Sequence, residues 1–517
     1  MAYNFSWLSV ALPLLLGLLL SVATERALKP TPQAFSKRRI QANSLHLGSW
    51  LLLFSLLLML TQRPWFSMAT VVGVQLFLVV VNNVKVDSLK EPFLLQDFEY
   101  FWDMLKHPRL YIPFFGFWRT LLSSAGAIAV ISIGLLLEAP LSGSDPHVFW
   151  LTTAYLLFIS VGLHVYGLRL AFSEPFNPEK DFNQLGQIAF FWVYARALLR
   201  SPAIDTQSSP FLVKTEVKTA PVKPEMLANL VVVQSESFFD PRPLSPLIKD
   251  SLLKNYDRIR SQSIGHGRLE VPAWGANTVR TECAFLTGLA PAALGIHAFN
   301  PYRYLARNAI PNLAQHMRSQ GYQTICIHPY AASFYLRDQV FPKLGFDRFI
   351  DIKAFSDTDK QGQYTGDAAV ADRVAALLDE AASKNNAKPL FIFVITMENH
   401  GPLHLEKPDP MVTEQHCHQP LPDDCDDLSV YLSHILNADL MLGQLTTSLS
   451  QGSREGVLCW YGDHLPIMPT VYRAMQEVDG RTEYLIWRSG ETSTQPLQQD
   501  LAVDQLAARL LGSGLSG

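Results

Sequence analysis

Apolar and polar positions divide this chain into two regions with different periodicities. In the first 200 residues the apolar positions form uncharged runs at 1–24, 40–62, 64–84, 120–137 and 146–168, each bounded by a charged residue. Runs of that length predict five helices that cross a bilayer. No Lys or Arg precedes the first run and four more follow it, so it reads as a retained span and not a cleaved leader. A segment of mixed charges, aromatics and prolines at 85–119 reads as chain lying at the membrane interface. The uncharged core within 169–200 is short for a crossing and reads as an interfacial helix. A Pro-, Ser-, Thr- and Lys-rich stretch at 201–226 predicts an exposed linker. The expected organisation is therefore a transmembrane domain at 1–172, an interfacial helix and linker at 173–226, and a second domain at 227–517.

In that second domain short apolar runs alternate with helical patterns, which predicts an α/β fold with a mostly parallel central sheet. The ends of the predicted strands carry its chemistry. NLVVVQSESF ends on Glu236, YQTICIHPY delivers His328, PLFIFVITMENHGP delivers Glu398, Asn399 and His400, and GVLCWYGDHLP delivers Asp463 and His464. Parallel sheets bind ligands at the carboxyl edge of their strands, so these acids and imidazoles are expected to share one crevice. Mixed carboxylate and imidazole donors suit a divalent cation such as zinc or manganese.

Composition adds little to the chemistry and more to the compartment. Charged residues make up 17% of the chain and the formal net charge is −4, and nucleic acid is not an expected partner. Loop one carries Arg26, Lys29, Lys37, Arg38 and Arg39, and loop three carries Lys85, Lys90, Lys106, Arg109 and Arg119, while loop four has no Lys or Arg. The preference of basic loops for the cytoplasm then leaves the second domain inside if there are five spans. Placing it outside requires a short sixth crossing near 182–195, or an N-terminus inside against the charge bias.

The runs VVVQSESFFD, GANTVRTECAFLTGL, HPYAASFYLRDQVFPKLGFDRFID, TMENHGPL and YGDHLP occur in an order that resembles the lipoteichoic acid synthase and phosphoglycerol transferase branch of the alkaline phosphatase and sulfatase superfamily. The resemblance covers roughly residues 228 to 466, and five spans ahead of a catalytic domain fit it too. It implies that Glu236, Asp463 and His464 bind one divalent metal, manganese first, with magnesium or zinc as alternatives. It makes Thr278 both a ligand and the nucleophile, because coordination favours the alkoxide. His328, Tyr335 and Arg337 fall where such enzymes hold the phosphoglycerol group, and His400 falls on a further substrate-contacting, catalytic histidine. The implied donor is phosphatidylglycerol and the implied acceptor an envelope glycan or polyglycerol phosphate. The implied place is the bacterial inner membrane, with the catalytic domain extracytoplasmic or periplasmic. Two departures bear on the transferred alcohol: Tyr335 replaces a tryptophan, and Tyr330 replaces an aspartate that contacts glycerol.

Sulfatase activity lacks its Cys or Ser in a C/S-x-P/A-x-R context, since the chain reads NTVRTECAF around Thr278. Phosphoethanolamine transfer, another metal-dependent phosphodiester chemistry, and a non-catalytic membrane-binding role are the other readings. Cys283, Cys326 and Cys459 lie in apolar patterns and read as packing. Cys417 and Cys425 lie in the polar stretch EQHCHQPLPDDCDD, where a short disulfide, or a metal site with His416 and His418, is expected. A disulfide would place the domain outside the cytoplasm.

Overall fold

The computed structural model describes residues 7–99, 101, 115–141, 145–171, 176–200, 203–212, 227–384, 387–476, 478–491 and 496–513. The chain divides into two compact units, Met1–Pro202 and Ala203–Gly517. Part of the segment read as interfacial, residues 100 and 102–114, lies outside the described residues, as do 213–226 of the expected linker.

Among the described residues, the first unit contains five helices long and apolar enough to cross a membrane. They are α1 (Trp7–Thr24), α2 (Ile40–Thr61), α3 (Pro64–Leu89), α4 (Phe117–Leu137) and α5 (Pro146–Gly167). Proline at the start of α3 and of α5 suits a position whose N–H has no helical partner. Two shorter helices follow, α6 (Pro178–Leu185) and α7 (Gln187–Arg200), separated by Gly186 at φ +73°. No helix at 182–195 is long and apolar enough to cross a membrane. Asn183 binds the loop after α1, its carbonyl accepting from Gln33 N–H at 2.9 Å. Arg196, close to the other end, donates to the carbonyls of Leu168 and Leu170 just after α5. Both ends are thus tied to the face of the bundle where α1, α3 and α5 finish. Fourteen helical residues span only about 21 Å, short of a hydrocarbon core of about 30 Å.

The second unit is built on a nine-stranded sheet. Its strands are β1 (Asn229–Ser235), β2 (Gly265–Glu270), β3 (Gln323–Ile327), β4 (Arg348–Ile350), β5 (Leu390–Ile395), β6 (Gly456–Gly462), β7 (Thr482–Arg488), β8 (Leu497–Gln498) and β9 (Leu501–Ala502). The order is β8-β2-β7-β6-β1-β5-β3-β4, with β9 also on β2. Only β7 runs antiparallel to its neighbours, β2 and β6, so the sheet is mostly parallel. Alternation along the central strands sends side chains into two cores. Val231, Val233, Ile392, Val394, Leu458 and Trp460 face one, with Leu442 of α11 (Asp426–Gln451) and Leu378 of α10 (Asp367–Ala382). Leu230, Val232, Phe391, Phe393, Val457 and Cys459 face the other, with Phe285 of α8 (Thr278–Thr287) and Leu506 of α12 (Val503–Gly512). Each such fully buried aliphatic or aromatic side chain contributes roughly 1.5–3 kcal/mol, which is why these strands tolerate polar residues only at their ends.

Residues 203–212, read as part of an exposed linker, pack instead against this second core through Ile204 and Phe211. Ser209 Oγ donates to the Thr287 carbonyl at 2.8 Å at the end of α8. Two apolar side chains in a polar stretch were enough to draw it down.

Candidate active site and metal centre

Register brings the strand ends together. Ser235 of β1 pairs with Gly462 of β6, so Glu236 and Asp463 emerge side by side at the carboxyl edge. Ligating atoms of Glu236, Asp463 and His464 all lie within 4.8 Å of one another, and the three are buried. His464 Nε2 is 3.6 Å from Glu236 Oε1 and 3.3 Å from Asp463 Oδ2. Ser237, at φ +52°, bends the chain so that its N–H donates to Asp463 Oδ1 at 2.8 Å and its hydroxyl to Glu236 Oε1 at 3.0 Å. Gly462 has to be glycine, because a Cβ there would lie 1.9 Å from the Phe238 carbonyl oxygen. The aromatic-glycine-Asp-His sequence is therefore a close approach of two strand ends.

The donor set fits a divalent cation. Asp463 Oδ2 is buried without a hydrogen-bond partner. Burial, with the Asp463 carboxylate beside it, pushes Glu236 well above the usual carboxylate range. Two acids held together away from water favour a bound cation or a shared proton. Thr278 opens helix α8 after Asn277, which sits in the left-handed region at φ +67°. Its Oγ1 lies 3.5 Å from His464 Nε2. Thr281, on the next turn, donates to the Asp463 carbonyl at 2.8 Å and docks the helix on the same strand end.

A second cluster lies around Arg337, where sequence expects an anion-binding fork. Arg337 opens α9 (Arg337–Leu344) after two left-handed residues, Tyr335 at φ +56° and Leu336 at φ +57°. Such backbone strain in bulky residues collects at functional sites. The guanidinium is 1% exposed and pairs with Glu282, itself 0% exposed. It stands over the Tyr335 ring at 5.3 Å. Arg337 Nη1 donates to His328 Nε2 at 3.2 Å, and His328 Nδ1–H donates to the Ile395 carbonyl at 3.2 Å. Burial and the neighbouring Arg337 hold His328 well below its ordinary pKa, so it is a neutral ring with both nitrogens engaged.

Sequence reasoning missed Glu282, Ser237, Thr281 and Tyr302, whose hydroxyl donates to Glu282 at 2.6 Å. The available signal was an acid inside the apolar run TECAFLTGL. Of the three polar residues after β5, His400 donates from Nδ1 to the Gly401 carbonyl at 2.7 Å and stands edge-on to Tyr364 at 5.3 Å, its pKa lowered by burial. Asn399 donates to the Glu236 carbonyl at 3.2 Å. Glu398 turns away, accepting from Asp367 N–H at 2.6 Å at the start of α10 and from Asn437 at 2.5 Å.

The disulfide expected at Cys417 and Cys425 is not formed. Both thiols are free and buried, packed into the first core as small apolar groups. His416, Cys417, His418 and Cys425 do not gather either: among the described residues, Glu236, Asp463 and His464 are the group whose donors converge.

Comparison with known proteins agrees with this architecture. A family model described as Sulfatase matches residues 228–513. The chain is 24% identical over 485 residues to the capsular polysaccharide biosynthesis protein RkpI of Rhizobium meliloti (strain 1021), covering 90% of this chain and 85% of that protein. It is 24% identical over 182 residues to lipoteichoic acid synthase 1 of Bacillus subtilis (strain 168), covering 35% of this chain but 27% of that protein's length. Among solved structures, the Streptococcus pyogenes phosphoglycerol transferase GacH in complex with sn-glycerol-1-phosphate is 21% identical, covers 56% of this chain and 76% of its own, and has a TM-score of 0.45. Because the family match runs from the residue before β1 to the residue after α12, it takes in every strand end that builds the site, and the chain belongs to the Sulfatase family.

Proposed function

We propose that this chain is a membrane-bound phosphotransferase that moves glycerol phosphate from phosphatidylglycerol to an envelope glycan or polyglycerol phosphate through a phosphothreonine at Thr278. The observation that carries the reading is Thr278 Oγ1 at 3.5 Å from His464 Nε2, whose ring gathers with the buried acids Glu236 and Asp463. The relatives named for capsular polysaccharide biosynthesis and lipoteichoic acid synthesis support an envelope acceptor.

Glu236, Asp463, His464 and Thr278 would hold one divalent ion, manganese before magnesium or zinc, which supplies a lowered pKa for the threonine hydroxyl and stabilises negative phosphoryl oxygens. Thr278 Oγ1 forms a bond to phosphorus as the bond from phosphorus to the diacylglycerol oxygen breaks. The Thr278 hydroxyl loses its proton in the attack and the departing alkoxide gains one; His400, a neutral ring whose Nδ1–H is given to the Gly401 carbonyl, is the candidate relay, accepting at Nε2 and then donating from it. In the second half an acceptor hydroxyl attacks the phosphothreonine and gives up its proton to His400, which returns it to the departing Thr278 oxygen. Arg337, with His328 and Tyr335 around it, orients the phosphate. The catalytic unit is placed outside the cytoplasm, where exported glycans are met; with five spans this puts the N-terminus inside, against the charge bias of loops one and three.

The test is incubation of the purified full-length protein with radiolabelled phosphatidylglycerol in detergent micelles. Released diacylglycerol and a label retained on Thr278 are expected. Turnover of phosphatidylethanolamine in its place moves the reading to phosphoethanolamine transfer, and hydrolysis of an aryl sulfate alone overturns phosphotransfer. A C-terminal reporter active only after export checks the compartment.

A further inference from the structure

Helix α8 carries one acid, Glu282, on the turn after Thr278 and on the same helical face. Its carboxylate accepts from Arg337 Nε at 3.3 Å, pairs with Arg337 Nη2, and accepts from the Tyr302 hydroxyl at 2.6 Å. Arg337 Nη1 is turned toward His328 at 3.2 Å. A guanidinium has five N–H groups, and three are engaged in these contacts, so two on the terminal nitrogens remain for an anion.

We propose that Glu282 is a positioning residue of the phosphoryl-transfer site: it aims the two free N–H groups of Arg337 by anchoring that side chain to the helix that carries Thr278. This rests on the reading above, in which Thr278 attacks phosphorus and Arg337 holds the phosphate. Nucleophile and anion clamp come from segments far apart in the chain, and the helical turn between Thr278 and Glu282 gives them one rigid ruler. Any tilt of α8 then moves both groups together, which keeps the attacking oxygen in register with the held phosphate. The pairing also cancels the charge of Arg337, so a phosphate is oriented by N–H direction without being held by an unopposed buried cation. Both consequences depend on the reach of the carboxylate and not only on its charge.

That dependence separates positioning from mere compensation of a buried charge. Glu282→Asp keeps the charge and withdraws the carboxylate by one methylene. The full-length protein in detergent micelles is assayed for release of diacylglycerol from fluorescent phosphatidylglycerol, for binding of inorganic phosphate by calorimetry, for melting, and for bound metal by elemental analysis. Glu282→Asp is expected to lower kcat/KM at least about tenfold and to weaken phosphate at least about fivefold, with bound metal and melting close to the parent. Tyr302→Phe removes one hydrogen bond to the same carboxylate and is expected to lower kcat/KM about threefold or more. Should Glu282→Asp fail to fold, Tyr302→Phe decides by the same two readouts. Parental kcat/KM and parental phosphate affinity in the folded variant overturn the proposal and leave Glu282 a charge compensator. If the parent releases no diacylglycerol, the transfer reading fails by itself, and phosphate affinity still decides: weakened binding supports positioning and unchanged binding overturns it.

Discussion

The two units of this protein bury the same three side-chain types to different ends. In the helical unit Arg38 Nη1 meets Glu25 at 2.6 Å, and His46 Nδ1 faces the other oxygen of that carboxylate at 3.3 Å. Asn82 and Asn83 of α3 tie down the same loop through the carbonyls of Lys29 and Ala27, each at 2.7 Å. The cluster pins the turn after α1 to the start of α2, and a Cβ on Gly186 would come within 2.1 Å of Arg38. In the α/β unit Arg337, Glu282 and His328 make a comparable buried set, but beside it two carboxylates of like charge, Glu236 and Asp463, converge with His464. Opposite charges that meet in a core neutralise one another and build structure. Like charges that meet there have to be compensated by a ligand or by a proton, and that difference marks the second cluster as the functional one.

The largest expected effect is that of Thr278→Ala. It removes the proposed nucleophile without touching a charge, and turnover should fall at least about thousandfold while melting stays at the parental value. Diacylglycerol release retained within tenfold would end the assignment. Next come the proposed ligands: His464→Ala and Asp463→Asn should each lower bound metal and cut activity at least about hundredfold, with chelation abolishing parental activity and manganese restoring it. Elemental analysis showing undiminished metal in both variants would break the contrast between the two clusters. Arg38→Met should act only on stability. Leaving Glu25 unpaired costs about 3–5 kcal/mol, read as a lower melting temperature in detergent, with turnover per folded molecule within about twofold of the parent.

The smallest effect sharpens the rule itself. Burial and the nearby Asp240 carboxylate push Glu483 up to about 8, although Arg268 stands 3.8 Å away. Its unfolded value is about 4.3, so between the two the native state holds a proton that the unfolded chain has lost. Stability then falls as pH rises through that window and levels off above it. Glu483→Gln can still accept from Asp240 N–H and has no charge to bury. Its melting temperature should match the parent near pH 4 and exceed it by a few degrees at pH 8. Equal melting at both pH values would show that this like-charge pair is compensated by something other than a proton.

How much of this was legible beforehand depended on range. Glu236, Asp463 and His464 each follow an apolar run closely, so strand ends and the parallel-sheet rule were enough to bring them to one edge. The five helices long and apolar enough to cross a membrane were equally local, being runs of uncharged residues. Glu282 was not legible, because its partner Arg337 is 55 residues away and an acid in an apolar helix has no partner until the helix is docked. Cys417 and Cys425 looked like a loop disulfide because spacing carries no information about burial; both sit inside the core. Ile204 and Phe211 escaped notice for the same reason, as two apolar residues in a polar stretch.

By itself the sequence determined which segments are apolar enough to leave water, the alternation that splits the central strands between two cores, and the residue types that close each strand. Those properties follow from side-chain chemistry and from periods of two and 3.6 residues, which act over a few neighbours. Only the tertiary structure decided that residues 203–212 pack on the second core, that Glu398 caps α10 instead of joining Glu236, Asp463 and His464, and that the buried Arg337 commits part of its guanidinium to Glu282 and His328. Each of these depends on a partner supplied by a distant segment, and in a close-packed interior a polar atom takes its role from whatever the fold sets beside it.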